Sequence, residues 1–283
     1  MTFDPIPPLS LWSMRSHAEA VENLPRLRNL HAEVIAYQNA LSAEAPPRGY
    51  SITAGRIVNF AVNWPADPNK APNWRESTRC PDTGLIARLR AAYHAYRTLR
   101  PDPSGDRIYM TEGLTPFFHF VAERHPAVVG SEYLPDTPFG QSDARGVRSE
   151  DLTRLTFADA SFDVLMSFEV LEHVPDYRAA LSECARVLRP GGLALITAPF
   201  RAKEAETLVR ASVSADGSIV HHEPPDYHGD PVNAEGILCY YWFGWSLLDE
   251  IRAAGFSDAY VAFYASRQFG YLQPMQSMIV ATR

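Results

Sequence analysis

The rhythm of apolar and polar positions changes near residue 105. Before that point, apolar residues between Leu27 and Leu41 recur at roughly helical intervals, which predicts a helix over residues 16–44 interrupted at Pro25. Leu85, Leu89, Ala92, Tyr93 and Tyr96 share one side of a second helix, predicted over 84–99. Residues 1–14 read as an extended arm, 50–62 as a hairpin or irregular strands, and 63–73, with Pro65, Pro68 and Pro72, as a loop. The run Pro101-Asp102-Pro103-Ser104-Gly105 then marks a boundary. It separates an N-terminal, mainly helical cap (1–104) from a second domain (105–283).

After residue 105, short apolar runs alternate with helical segments. The runs are Arg107–Thr111, Ala127–Glu132, Gly146–Ser149, Phe162–Phe168 and Leu193–Ala198. A helix is predicted over Tyr177–Leu188, closed by Pro190-Gly191-Gly192. Another is predicted over Ser246–Ala254, with Ser246 and Asp249 as a capping box and Gly255 as its stop. Two late strands follow, at Tyr260–Tyr264 and Met278–Ala281. This order predicts an α/β fold: a doubly wound, mostly parallel sheet with helices on its faces and ligands beyond the carboxyl ends of its strands.

Composition narrows the function classes. A chain of 283 residues with 46% hydrophobic and 21% charged residues has the make-up of a folded globular protein. Its net charge of -7 carries no overall basic footprint, so no nucleic-acid partner is expected. Cys80, Cys184 and Cys239 are too few and scattered for a disulfide framework and fit a reducing compartment. With no basic-then-apolar leader and no long apolar run, the expectation is a cytoplasmic protein without a membrane partner.

One stretch identifies the chemistry. Residues 155–199 contain L-T-F…S-F-D-V, then E-V-L-E-H-V, then R-V-L-R-P-G-G-L. Together these resemble the second half of a class I S-adenosylmethionine-dependent methyltransferase of the small-molecule type. The resemblance implies a seven-stranded Rossmann-like methyltransferase sheet, S-adenosyl-L-methionine as cofactor and S-adenosyl-L-homocysteine as product. Phe168 and Glu169 end a buried strand at the ligand rim, and Glu172-His173 follows on a turn facing the same cleft.

The first half departs from the family pattern. An acidic-x-Gly-x-Gly loop is expected after the first sheet strand, but the chain reads R-I-Y-M-T-E-G-L-T-P. Either Glu112 is the motif's acidic residue, or the register is slipped and Gly-Leu-Thr replaces part of the loop. Gly113 remains, and Thr111 and Thr115 offer hydroxyls. By the resemblance, Glu132 at the end of the second strand takes the ribose hydroxyls, beside Tyr133. Asp151, with Glu150 as the register alternative, meets the adenine amine, and Leu152 packs near that ring.

The acceptor side is read from a loop at about 200–245. His221, His222, Glu223, Asp226, His228 and Asp230 concentrate potential ligands there, but without regular His-x-x-x-His spacing, so no metal is assigned. His173, His222 and His228 are the candidate general bases. Tyr227, Tyr241 and Trp245, with Asn73, Trp74 and Arg75 from the N-terminal part, are expected to bind substrate. Cys80-Pro81-Asp82-Thr83-Gly84 lacks a second cysteine at short spacing and is not a zinc knuckle. The implied reaction is methyl transfer to an oxygen or nitrogen of a small molecule, sugar or glycan. The competing reading is a non-catalytic binding or scaffold protein of the same fold. A dinucleotide-dependent dehydrogenase is disfavoured because G-x-G-x-x-G is missing after the first strand.

Overall fold

Seven strands form the central sheet: β1 (Trp12–Met14), β2 (Ile108–Met110), β3 (Val128–Gly130), β4 (Phe162–Phe168), β5 (Leu188–Thr197), β6 (Asp258–Ser266) and β7 (Tyr271–Thr282). Their order is β1-β6-β7-β5-β4-β2-β3. The computed structural model describes residues 7–67, 69–229 and 235–283. Pairings β2–β3, β2–β4 and β4–β5 are parallel, whereas β7 runs antiparallel to β5, from Ile279↔Ile196 to Thr282↔Leu193. The sheet is thus only partly parallel. Helices α1 (His17–Gln38), α2 (Ala87–Leu99), α3 (Pro116–Ala122), α4 (Tyr177–Val187) and α5 (Ser246–Ala253) complete the main elements.

β4 is buried at every position, as its nearly unbroken apolar run demands of a strand covered on both faces. Its one charge, Asp163, is neutralised. It accepts from the Arg107 backbone N–H at 2.8 Å and side chain at 3.0 Å, and Arg189 pairs with it at 2.5 Å. These arginines hold its carboxyl below the usual range against the opposing effect of burial.

Several local expectations change. α1 runs through Pro25 without a break. The hydrogen bond that Pro25 cannot donate would have gone to the carbonyl of Val21, a half-exposed residue. Gly146–Ser149 is not a strand; it touches the sheet through the single parallel bridge Glu132↔Ser149. Polar residues interrupt this run, and Gly146 sits at φ +80°, so it offers no continuous buried edge. Pro190-Gly191-Gly192 lies inside β5 rather than after the helix. Phe162 pairs with Leu188 but Val164 with Leu193, so Arg189–Gly192 bulge from the ladder, with Gly191 at φ +75°. Ser246 is the first residue of α5, not its cap; it bonds Thr207 instead.

The chain forms two compact units. One comprises the described residues up to Ser13, Val21–Ser104 and Ala262–Ser277; the other comprises Met14–Ala20, Gly105–Val261 and Met278–Arg283. In the first, Val34, Trp74, Ala265 and Leu272 form a buried apolar cluster. A hairpin pairs Arg48–Ser51 with Arg56–Asn59. Arg90 is fully buried; its guanidinium donates to the Phe269 carbonyl at 2.8 Å and lies over the Phe60 ring. His94 is held between the Pro7 carbonyl, 2.6 Å from Nε2, and the Tyr271 hydroxyl, 3.2 Å from Nδ1. Of the predicted arm, residues 1–6 lie outside the described residues and 12–14 form β1. Among the described residues, no helix is long and apolar enough to cross a membrane.

Candidate active site

The chain order reverses at β2, which has β3 on one side and β4 on the other. A crevice opens at such a switch point, beyond the carboxyl ends of the strands. A cavity of about 530 Å³ lies there, within the size range of small-molecule sites. Its polar edge includes Glu132, Asp151 and His173, and its apolar walls include Leu152, Val170, Val174 and Ile237. Thr111 and Tyr133 also line it.

The loop after β2 is built by hydrogen bonds rather than by glycines. Glu132 Oε1 accepts from the backbone N–H of Gly113 at 2.8 Å and of Leu114 at 3.0 Å. The Thr115 hydroxyl donates to Glu112 Oε2 at 2.5 Å, and its oxygen caps α3 by accepting from the Phe118 N–H at 3.1 Å. Pro116 takes the first helical turn, where its missing N–H costs nothing. Glu112, Gly113 and Thr115 thus shape the loop and are not among the residues lining the cavity. Sequence reasoning missed Gly130. A Cβ there would stand 2.5 Å from both the Glu112 carbonyl oxygen and the Phe118 ring, so only glycine lets the loop lie on β3. The signal was present as a glycine closing an apolar run, V-V-G.

The two acidic alternatives after β3 both line the cavity and differ in their partners. Glu150 is buried, and its carboxylate is engaged by Arg148 and by the N–H and hydroxyl of Thr156. Asp151 lines the cavity, with Oδ1 accepting from the Thr153 N–H at 2.9 Å and hydroxyl at 2.7 Å. Phe168 is buried with its ring edge-on to Phe117. Glu169 adopts φ +56° and donates its N–H to the Thr197 carbonyl at 2.8 Å, turning the chain off β4.

That turn carries a short 3₁₀ helix, Leu171–His173. His173 Nδ1 lies 2.9 Å from the Leu238 carbonyl. A two-stranded ribbon pairs Tyr227–His228 with Ile237–Leu238 and brings His228 to the same place. His228 Nδ1 lies 3.5 Å from Glu172 Oε1, an ion-pair contact longer than a well-formed hydrogen bond. The Glu172 carboxylate holds His228 above its ordinary imidazole range against the lowering effect of burial, with Asp226 and Glu169 adding to it. Burial pushes the nearby Cys239 thiol up to about 12.

The remaining predicted residues sit elsewhere. His222 is exposed on a separate hairpin, 2.9 Å from the Ser212 hydroxyl. Tyr227 is 58% exposed. Tyr241 is buried and donates to the Pro175 carbonyl at 2.5 Å, and Trp245 is buried and donates to the Ala202 carbonyl at 2.9 Å. Asn73, Trp74 and Arg75 belong to the other unit. There Asn73 caps the turn Trp74–Ser77, Trp74 is 3% exposed in the apolar cluster, and Arg75 pairs with Glu76. Asp230 lies outside the described residues.

Residues 119–196 match the family described as "Methyltransferase domain". A "Probable S-adenosylmethionine-dependent methyltransferase" of Mycolicibacterium smegmatis is 47% identical over 55 residues, 19% of this chain and 21% of that one. A ubiquinone biosynthesis O-methyltransferase of Rhizobium etli is 36% identical over 66 residues, 23% of this chain and 25% of that one. The chain therefore spans only a fifth to a quarter of the length of these curated relatives. A crystal structure of an S-adenosylmethionine-dependent methyltransferase from Mesorhizobium loti aligns with 19% identity and a TM-score of 0.44, covering 68% of this chain and 98% of that one. The matched residues 119–196, which contain E-V-L-E-H-V and R-V-L-R-P-G-G-L, are thus similar to a methyltransferase domain, and part of the chain is similar to S-adenosylmethionine-dependent methyltransferases.

Proposed function

We propose that this protein transfers the methyl group of S-adenosylmethionine to an oxygen or nitrogen atom of a small molecule. A sugar or glycan is the acceptor class implied by the sequence resemblance. One observation carries the reading: Glu132, Asp151, Leu152 and His173 line a single cavity at the switch point of the sheet.

The donor set suits a nucleoside. Carboxylates at Glu132 and Asp151 accept hydrogen bonds from ribose hydroxyls and an exocyclic amine, which are donors. Leu152, Val170, Val174 and Ile237 give a flat heterocycle apolar walls. When bound, the cofactor supplies a methyl group activated by a positively charged sulfur. The protein's tasks are then to align an acceptor in line with that methyl and to take up the acceptor's proton. Glu172, His173 and His228 form the polar cluster on the His173 side of the cavity, and we assign the acceptor's proton to that side.

Calorimetric titration with S-adenosylhomocysteine tests the reading. Saturable one-to-one binding, lost when the cavity carboxylates are removed, is the expected result. Absence of binding by the folded protein sinks it. Tight binding without methyl transfer to any panel of hydroxyl or amine acceptors favours the scaffold alternative.

A further inference from the structure

Glu172 has a side-chain exposure of 0%, and among the described residues neither of its carboxylate oxygens receives a hydrogen bond. A buried carboxylate without donors is unfavourable unless a positive charge meets it. Two imidazoles face it instead. His173 Nε2 lies 3.6 Å and His228 Nδ1 3.5 Å from Glu172 Oε1. Their rings stand perpendicular, with centroids 4.9 Å apart.

A hydrogen bond from outside the cluster holds the far nitrogen of His173, and a carboxylate faces that of His228 at ion-pair distance. The Leu238 carbonyl, 2.9 Å from His173 Nδ1, only accepts, so that nitrogen carries the hydrogen. The neutral ring then presents a lone pair at Nε2 toward Glu172. His228 turns Nε2 toward Asp226 Oδ2 at 3.7 Å and leaves Nδ1 toward Glu172. An outer carbonyl or carboxylate that fixes an imidazole's tautomer and orientation is the usual setting of a metal-binding histidine. The spacing agrees. Ligands at about 2.0–2.1 Å from one tetrahedral cation stand about 3.4 Å from each other. The three donor atoms all lie within 4.8 Å of one another.

We propose that Glu172, His173 and His228 bind one divalent first-row transition cation, a class that a mixed imidazole and carboxylate set favours over Mg²⁺ or Ca²⁺. His173 also lines the cavity, which puts the cation at its edge. Cys239 is not assigned as a ligand, because its thiol donates to the Tyr241 carbonyl at 3.3 Å. Only the cation's role rests on the proposed methyl transfer: it would hold the acceptor oxygen and raise its acidity, so that neither imidazole has to act as the base. Whether the cation binds is independent of that reading.

The test uses the full chain, stripped with EDTA, dialysed and titrated with Co²⁺ by calorimetry and visible absorption. One equivalent of Co²⁺ is expected, with visible bands that Zn²⁺ displaces. Glu172→Gln keeps the side chain's shape, and His228→Ala opens one ligand position. Each is expected to weaken Co²⁺ by more than the roughly 10–100-fold typical of losing an outer partner. Both variants should melt cooperatively and bind S-adenosylhomocysteine as the unmodified chain does. The proposal is overturned if the folded, stripped protein takes up no Co²⁺, or if both variants bind it unchanged. Failure to bind S-adenosylhomocysteine overturns the cavity reading instead, and the Co²⁺ titration still decides the cation site.

Discussion

Glu132 holds Gly113: the carboxylate at the end of β3 accepts the Gly113 N–H at 2.8 Å and, with the same oxygen, the Leu114 N–H at 3.0 Å. A single side chain therefore anchors the loop after β2 and, from the same position, borders the cavity. Its two tasks can be separated by substitution.

Glu132→Gln retains a carbonyl oxygen for the two N–H groups but loses the charge. Its melting temperature is expected to stay near that of the unmodified chain while affinity for S-adenosylhomocysteine falls. Glu132→Ala loses both, and the affinity loss should reach about 1.5–3 kcal/mol, the range of charge-assisted hydrogen bonds. Calorimetry and thermal melts on the two variants check this. Unchanged affinity in a folded Ala variant removes Glu132 from the cofactor site.

Asp151→Ala should weaken the same ligand by less, about 0.5–1.5 kcal/mol. An exocyclic amine needs one acceptor, and Asp151 Oδ1 already accepts twice from Thr153. A larger loss than for Glu132→Ala would reverse the assignment of ribose and adenine ends.

Gly130→Ala tests the loop's seat directly. The added methyl meets the Glu112 carbonyl oxygen and the Phe118 ring at 2.5 Å, and neither yields cheaply because one is backbone and the other a ring packed at the same loop. Overpacking of this kind costs about 1–3 kcal/mol. The urea midpoint should fall, and S-adenosylhomocysteine affinity with it. A variant as stable as the unmodified chain shows that the loop relaxes freely.

Acid should weaken the unit that holds His94 as pH falls below the ordinary imidazole range. Burial lowers His94 to about 4, against an ordinary imidazole value of about 6.5. The unfolded chain therefore binds more protons between these values, so stability is complete above about 6.5 and is lost as pH falls toward 4. The total is on the order of 3 kcal/mol. Urea midpoints measured from pH 7 to 4 should drop in that window and drop less in His94→Gln. Equal slopes for both proteins remove His94 as the cause.

The two loop histidines should diverge. His222 is exposed and bonded to Ser212, whereas His228 faces Glu172. Once an acceptor is found, His228→Ala should lower turnover without changing cofactor affinity. His222→Ala should change neither, and a large fall in turnover would bring the hairpin into the site.

Local burial patterns wrote the elements plainly. The apolar run Phe162–Phe168 became β4 with those bounds, and the stripe beginning at Tyr177 became α4. These depend on near neighbours in the chain, so periodicity suffices. Where a partner from elsewhere in the chain decided the outcome, the local signal misled: a bond to Thr207 claimed Ser246 from its cap.

The family-bearing motif was legible because E-V-L-E-H-V and R-V-L-R-P-G-G-L are contiguous stretches. Only the tertiary structure decided which partners each carboxylate at the cavity takes. Glu150 and Asp151 are adjacent acids that both line the cavity, yet Arg148 and Thr156 claim the first while Thr153 bonds the second. His228 comes to Glu172 because its ribbon folds back on the turn after β4, and no spacing along the chain encodes that encounter. An element follows from the burial of consecutive side chains, whereas a site follows from which loop ends the sheet brings together.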